Sequence, residues 1–376
     1  MTGQISTIRE SYLCFPNYIQ NFLTWLTGKA IKGQSPLFIC NKWVHFFVPF
    51  SLFLGGISAN FYLLPKFASH EWVLYPMFWI ITVAGIRNMV LTIRHECVHN
   101  NFVVNPKVNK ILGEFVTIIL LIRTAKAYQH DHVSLHHNSD ILCTSQDPHV
   151  IYLSKYGLKF GVSKKALWIR LICILLSPSF YIESTYGRIK ANILAQNTIR
   201  RLSALLYITM WGLILTFSSI SFYQFVLAYA FPVFILSEAS AFIETISEHP
   251  IPQEEISSRT LKERRLMQAK KSWSILSGSA LPAHSRIIWV NIYRKIAWFI
   301  KMTGHLLVRL TILPGPLPSH ELHHRKPGQY DWRIAFYERQ KDIEANHPGY
   351  PPYTEVWGLI NALDRVFDGM SKRKPL

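Results

Sequence analysis

WVLYPMFWIITVAGIRNMVLTIRHECVH, residues 72–99, decides the architecture. The stretch is almost wholly apolar through Ile93 and then ends on His95-Glu96-Cys97-Val98-His99. About 20 mostly apolar residues suffice for a helix to cross the hydrocarbon core of a bilayer. Residues 72–93 therefore predict a spanning helix that delivers histidines at its end. His95 and His99, four apart, project from one helical face and can reach one metal ion.

Three other stretches qualify as spans: 43–64, 202–219 and 222–243. They pair into two hairpins through short turns at 65–71 and 218–221. Shorter or charge-interrupted apolar runs at 111–122, 166–182 and 286–313 read as interfacial or partly buried helices, and the aromatic-rich segment 12–27 as an interfacial helix. The composition agrees, at 49% hydrophobic and only 16% charged, where soluble domains run near a quarter charged. The fold expected is an all-α integral membrane protein, with about four spanning helices and a helical cap. Its divisions are an N-terminal segment 1–42, a membrane domain 43–325 and a C-terminal segment 326–376.

The formal charge of +18 is explained by topology rather than by nucleic acid. Of 40 Lys and Arg, 4 fall in 1–42, 14 in 94–201 and 20 in 245–376, which leaves Lys66 and Arg87. The positive-inside rule then turns both hairpin turns away from the cytoplasm and puts both termini and the basic regions inside it. The five cysteines include no Cys-x-x-Cys pair, so neither a disulfide framework nor a zinc ribbon is expected. The N-terminus, with Arg9 and Glu10, does not read as a secretory signal.

Two more histidine clusters follow the first: His132-Val-Ser-Leu-His136-His137 and His320-Glu321-Leu-His323-His324. Adjacent histidines on a helix diverge by about 100 degrees, so one can face each of two metals. Imidazole suits iron, zinc and copper, and eight imidazoles exceed the needs of one tetrahedral site. Topology puts all three clusters on the cytoplasmic face, as a shared centre requires.

In their order and spacing these clusters resemble the three histidine boxes of the membrane fatty acid desaturase and hydroxylase superfamily. The resemblance covers about 43–325. It implies a non-haem centre of two irons with dioxygen as co-substrate. The substrate would be a lipid or fatty acyl chain, and desaturation is the leading reaction, with lipid or alkyl hydroxylation as the alternative. It also implies a separate electron donor of ferredoxin, rubredoxin or cytochrome b5 type with its reductase, and no nucleic-acid partner. The implied ligands are His95, His99, His132, His136, His137, His320, His323 and His324. His249, in Glu244-Thr-Ile-Ser-Glu-His249-Pro, resembles the Glu-His element of the alkane hydroxylase branch and makes a ninth. Glu96 and Glu321 are expected to orient ligand imidazoles. His130 competes with His132, His305 competes with His249, and Asp140 is a candidate partner for a ligand histidine. The segment 144–148, Thr-Ser-Gln-Asp-Pro, resembles the Thr-x-x-Asp-Pro of some bacterial relatives.

Other readings use fewer of these residues. His95-Glu96-x-x-His99 is the pattern of zinc metalloproteases, with the Glu as general base. Glu96-x-x-His99 and Glu321-x-x-His324 match the pairs of ferritin-like di-iron bundles. A metal transporter would carry its ligands inside its spans. His347-Pro348-Gly349 is similar to part of a cytochrome b5 haem motif but reads as a turn.

Overall fold

The computed structural model describes residues 7–63, 73–195, 197–253, 260–346 and 350–374. The turn at 65–71 and His347-Pro348-Gly349 lie outside them. The described residues are mainly helical. Among the described residues, four helices are long and apolar enough to cross a membrane: Lys42–Tyr62, Tyr75–Val98, Thr198–Phe217 and Phe222–Ser247. The expected all-helical membrane protein is therefore what forms. The second and fourth helices outrun the apolar stretches, one to the end of the first box and one to the threshold of His249.

The chain divides into two compact units. The spanning unit comprises Asn41–Leu135 and Ile169–Ile243; the second unit comprises Met1–Cys40, His136–Trp168 and Glu244–Leu376.

In the spanning unit the first two helices cross closely. A Cβ on Gly85 would lie 2.5 Å from Phe53 N and 2.6 Å from Pro49 O, and one on Gly56 would lie 2.9 Å from Thr82 N. Only glycine permits that approach, which substitutes for the hydrophobic drive that lipid cannot supply. Trp79 Nε1 donates to Leu227 O at 2.7 Å and its ring meets Phe231 at 4.6 Å, tying the second helix to the fourth. Both helices contain widened, π-type turns. Val226–Leu236 holds Pro232, which lacks an N–H for the regular ladder. Met89–Arg94 directly precedes the first box, and such turns often serve to re-aim side chains at functional sites. The run expected as one interfacial helix over 166–182 is two, Lys164–Leu176 and Pro178–Ile193, bent by 65°. Pro178 forces the break, because it cannot donate and restricts the residue before it.

The second unit packs Tyr12, Leu23, Leu26 and Met302 into a small core. It holds the one departure from an all-helical fold among the described residues. Strands β1 (Ser274–Leu276) and β2 (Glu355–Trp357) pair in parallel, with Ile275 opposite Val356. Strands so short, some 80 residues apart, leave no local signature. The segment 286–313 forms the helix Ile288–Thr311, with Trp289, Tyr293, Phe299 and Ile300 exposed.

Candidate metal centre

Each unit gathers its own set of imidazoles. In the spanning unit, the second helix presents His95 and His99 one turn apart, and the widened helical stretch His130–His136 presents His132. The ligand nitrogens of all three lie within 4.8 Å of one another. His95 Nε2 and His132 Nε2 are 3.0 Å apart. Tyr128 stacks on His132 with ring centroids 5.0 Å apart, and the Arg94 guanidinium lies 3.7 Å from the Tyr128 ring centre. Glu96 is fully buried; one oxygen meets His95 Nδ1 at 3.2 Å and the other accepts from Asn101 Nδ2 at 2.9 Å. Both Glu96 oxygens are thus engaged, one by His95 and one by Asn101. His130 is exposed beside Asp131, while His132 is buried.

The second unit draws four buried histidines from three distant parts of the chain. His136 Nε2 lies 2.9 Å from His249 Nε2, His249 Nε2 3.1 Å from His320 Nε2, and His320 Nε2 3.0 Å from His324 Nε2. Alongside them His137 stacks on His324 at 4.3 Å, and its Nε2 lies 3.1 Å from His323 Nε2. His305 belongs to neither group; its Nε2 meets Ser279 Oγ at 3.1 Å.

Hydrogen bonds fix the tautomer of two of these rings. His136 Nδ1 meets Asp147 Oδ1 at 3.1 Å, and His249 Nδ1 meets the Lys271 carbonyl at 2.7 Å. Carboxylate and carbonyl oxygens only accept, so both Nδ1 atoms carry hydrogen and both Nε2 atoms present lone pairs. Two lone pairs 2.9 Å apart repel unless a cation lies between them. A proton could relieve one such pair, but four converging nitrogens suit a metal ion. With metal–nitrogen bonds of about 2.0–2.1 Å, ligand nitrogens at right angles are about 2.9 Å apart and tetrahedral ones about 3.4 Å. The observed spacings fit the first value.

Burial favours the neutral, metal-binding form of three of the clustered histidines. It pushes His249 and His324 well below the usual imidazole range, with neighbouring imidazoles acting in the same direction. Burial, helped by His95, pushes His99 down to about 3.

The supporting groups were only partly legible. Asp140 faces Arg264, at 3.7 Å, and the carboxylate on His136 belongs to Asp147 instead. Asp147 also accepts from Cys143 N at 2.8 Å and from His149 N at 2.9 Å, which caps the helix Pro148–Lys155. Asp-Pro at a helix start was a usable signal for it. The Lys271 carbonyl has no such signal, since every residue carries a carbonyl. Lys271 Nζ donates to Ser139 O at 2.8 Å, so this lysine braces the loop after the second box as well. Glu321 turns from the imidazoles toward Arg325 and Thr354 N, the latter at 2.8 Å, and burial pushes it up to about 7 against the pull of Arg325 and Arg339.

No curated protein matches the chain. The family described as fatty acid desaturase matches residues 70–279, a stretch that encloses the first two boxes and His249 and stops short of the third. A match over more than half of its length makes this protein a member of the fatty acid desaturase family, a group of metal-using membrane oxidoreductases of the desaturase and hydroxylase type.

Proposed function

We propose that the protein is a two-iron, dioxygen-dependent desaturase of lipid or fatty acyl chains, anchored by four passes with its histidines at the cytoplasmic face. The observation that carries the reading is the set of facing Nε2 atoms whose Nδ1 partners commit them to a cation. Their near-right-angle spacing suits a five- or six-coordinate ion better than tetrahedral zinc.

His95, His99 and His132 would hold one iron. His136, His249, His320 and His324 would hold the other, and His137 and His323 complete nine imidazoles. Bound iron would supply the activation of dioxygen. The chain's residues supply the rest. Glu96, Asp147 and the Lys271 carbonyl fix ring orientation and tautomer, and burial excludes water from the imidazoles. The overall change is –CH2–CH2– + O2 + 2e⁻ + 2H⁺ giving –CH=CH– + 2H2O. The electrons come from a separate carrier with its reductase. Hydroxylation is the second reading, favoured by the Glu248-His249 element and the place of His249 within the cluster.

Metal analysis with Mössbauer spectroscopy of the purified protein tests the centre. Two irons per chain are expected; one zinc without iron would return the first box to the protease reading. Lipid profiling of expressing cells, with His136→Ala as control, separates the reactions. New double bonds lost in the variant indicate a desaturase, new hydroxyl groups a hydroxylase.

A further inference from the structure

The helix Leu261–Lys270 carries Lys262, Arg264, Arg265 and Lys270, all exposed, against the single acid Glu263. Glu263 is occupied at the helix start, where it accepts from Thr260 N at 2.8 Å. Lys262, Arg265 and Lys270 have no acidic partner among the described residues. Beside this helix lies a cleft of about 640 Å³, lined by Arg264, Arg265, Arg325, Lys326, Gln268 and His137 among others. No Asp or Glu lines it among the described residues. The Arg325 and Lys326 charges are already met by Glu321 and Asp342, so the uncompensated charge sits on the helix.

The cleft ends at the proposed metal centre. Gln268 Nε2 donates to the His137 carbonyl at 3.0 Å, and the His137 ring stacks on His324. One side chain therefore links the basic helix to the backbone of a ligand histidine.

We propose that this helix and cleft are the docking site of an acidic one-electron carrier protein, with electrons entering the centre beside His137. The proposal rests on the oxidoreductase reading above, which needs two electrons per turnover from outside. Each docking event would oxidise one reduced carrier, and two events would supply the two electrons that reduce O2 to water along with the two substrate hydrogens. Opposite charge both steers such an encounter and fixes its register. An anionic membrane surface fits less well. A membrane-lying helix sets an apolar face beside its cations, as Ile288–Thr311 does with Trp289, Phe299 and Ile300. The Leu261–Lys270 helix buries Met267 and shows no exposed large apolar side chain among its described ones.

The test is the charge reversal Arg264→Glu with Arg265→Glu, made in the full-length, iron-loaded protein in phosphatidylcholine nanodiscs. The probe is an acidic [2Fe–2S] ferredoxin, with Kd measured by titration at low and high salt. The expected result is a Kd raised at least about 10-fold at low salt, with a flattened salt dependence. The control reversal Lys341→Glu with Lys372→Glu, at exposed sites elsewhere, should leave Kd unchanged. Failure of the wild type to bind the carrier, or equal Kd in the double variant, overturns the proposal. So does an unchanged Kd with weakened binding to phosphatidylserine vesicles, which would make the helix a lipid-binding surface. Failure of the wild type to oxidise any lipid in a single turnover, after reduction with dithionite, removal of the excess reductant and then admission of O2, would overturn the functional reading instead, whatever the binding shows.

Discussion

The two histidine sets are built in different ways. The set in the spanning unit takes its three rings from a stretch of 38 residues, 95–132, and two of them share one helix turn. The set in the second unit joins His136, His249, His320 and His324, spread over 189 residues, and ties each region down with hydrogen bonds from yet other segments. The first set depends on one helix holding its course. The second depends on long-range packing bringing three segments into register. Loop closure over such separations must be offset by packing, and the β1–β2 pairing, flanked by Lys271 and Thr354, contributes to it.

Ligand removal should expose the contrast most strongly. His249→Ala takes away a ring that lies within about 3 Å of two others, whereas His99→Ala removes a ring at the edge of a helix turn. Both should abolish lipid oxidation, with a loss above the roughly 100-fold seen for supporting residues. His249→Ala should also lower iron content by about one per chain and loosen the second unit, read as new protease-sensitive sites. An iron content equal to wild type in that variant would remove His249 from the ligand set.

The supporting carboxylates allow a finer comparison. Asp147→Asn keeps the helix cap, since Asn caps as well as Asp, but weakens the acceptor on His136 Nδ1. Activity or iron affinity should fall about 10- to 100-fold without loss of fold. Glu96→Gln should do the same to the other set through His95. Wild-type iron affinity in both variants would mean that these bonds do not set the tautomers.

Gly85→Ala attacks the spanning unit alone. Its new Cβ would press on Phe53 and Pro49 backbone atoms, and overpacking of this kind costs about 1–3 kcal/mol. A lowered midpoint of thermal unfolding in detergent is expected; an unchanged midpoint would show that the crossing relaxes freely. The smallest effect belongs to His130→Ala. That ring is exposed beside Asp131, so iron content and turnover should stay within about 2-fold of wild type. A large loss would mean that His130, not His132, completes the spanning-unit set.

The basic helix Leu261–Lys270 and the aromatic helix Ile288–Thr311 show why charge alone was an incomplete guide. Both segments are rich in Lys and Arg. In the first, the apolar residue Met267 is buried and the cations stand without an apolar flank; in the second, Trp289, Tyr293 and Phe299 share the surface with them. Charge has to be read together with the apolar residues that share its surface.

The spans, the boxes and the local pairing of His95 with His99 were determined by the sequence itself, because 20-residue apolar runs and helical spacing are local properties. The same holds for Glu96, whose partners lie within a few residues of it. Only the tertiary structure decided that Asp147 rather than Asp140 meets His136, that a Lys271 carbonyl holds His249, and that two three-residue strands join segments far apart. The second and third are backbone and long-range contacts, of which a linear pattern of side chains carries no record, whereas Asp147 was legible only as the Asp-Pro start of a helix.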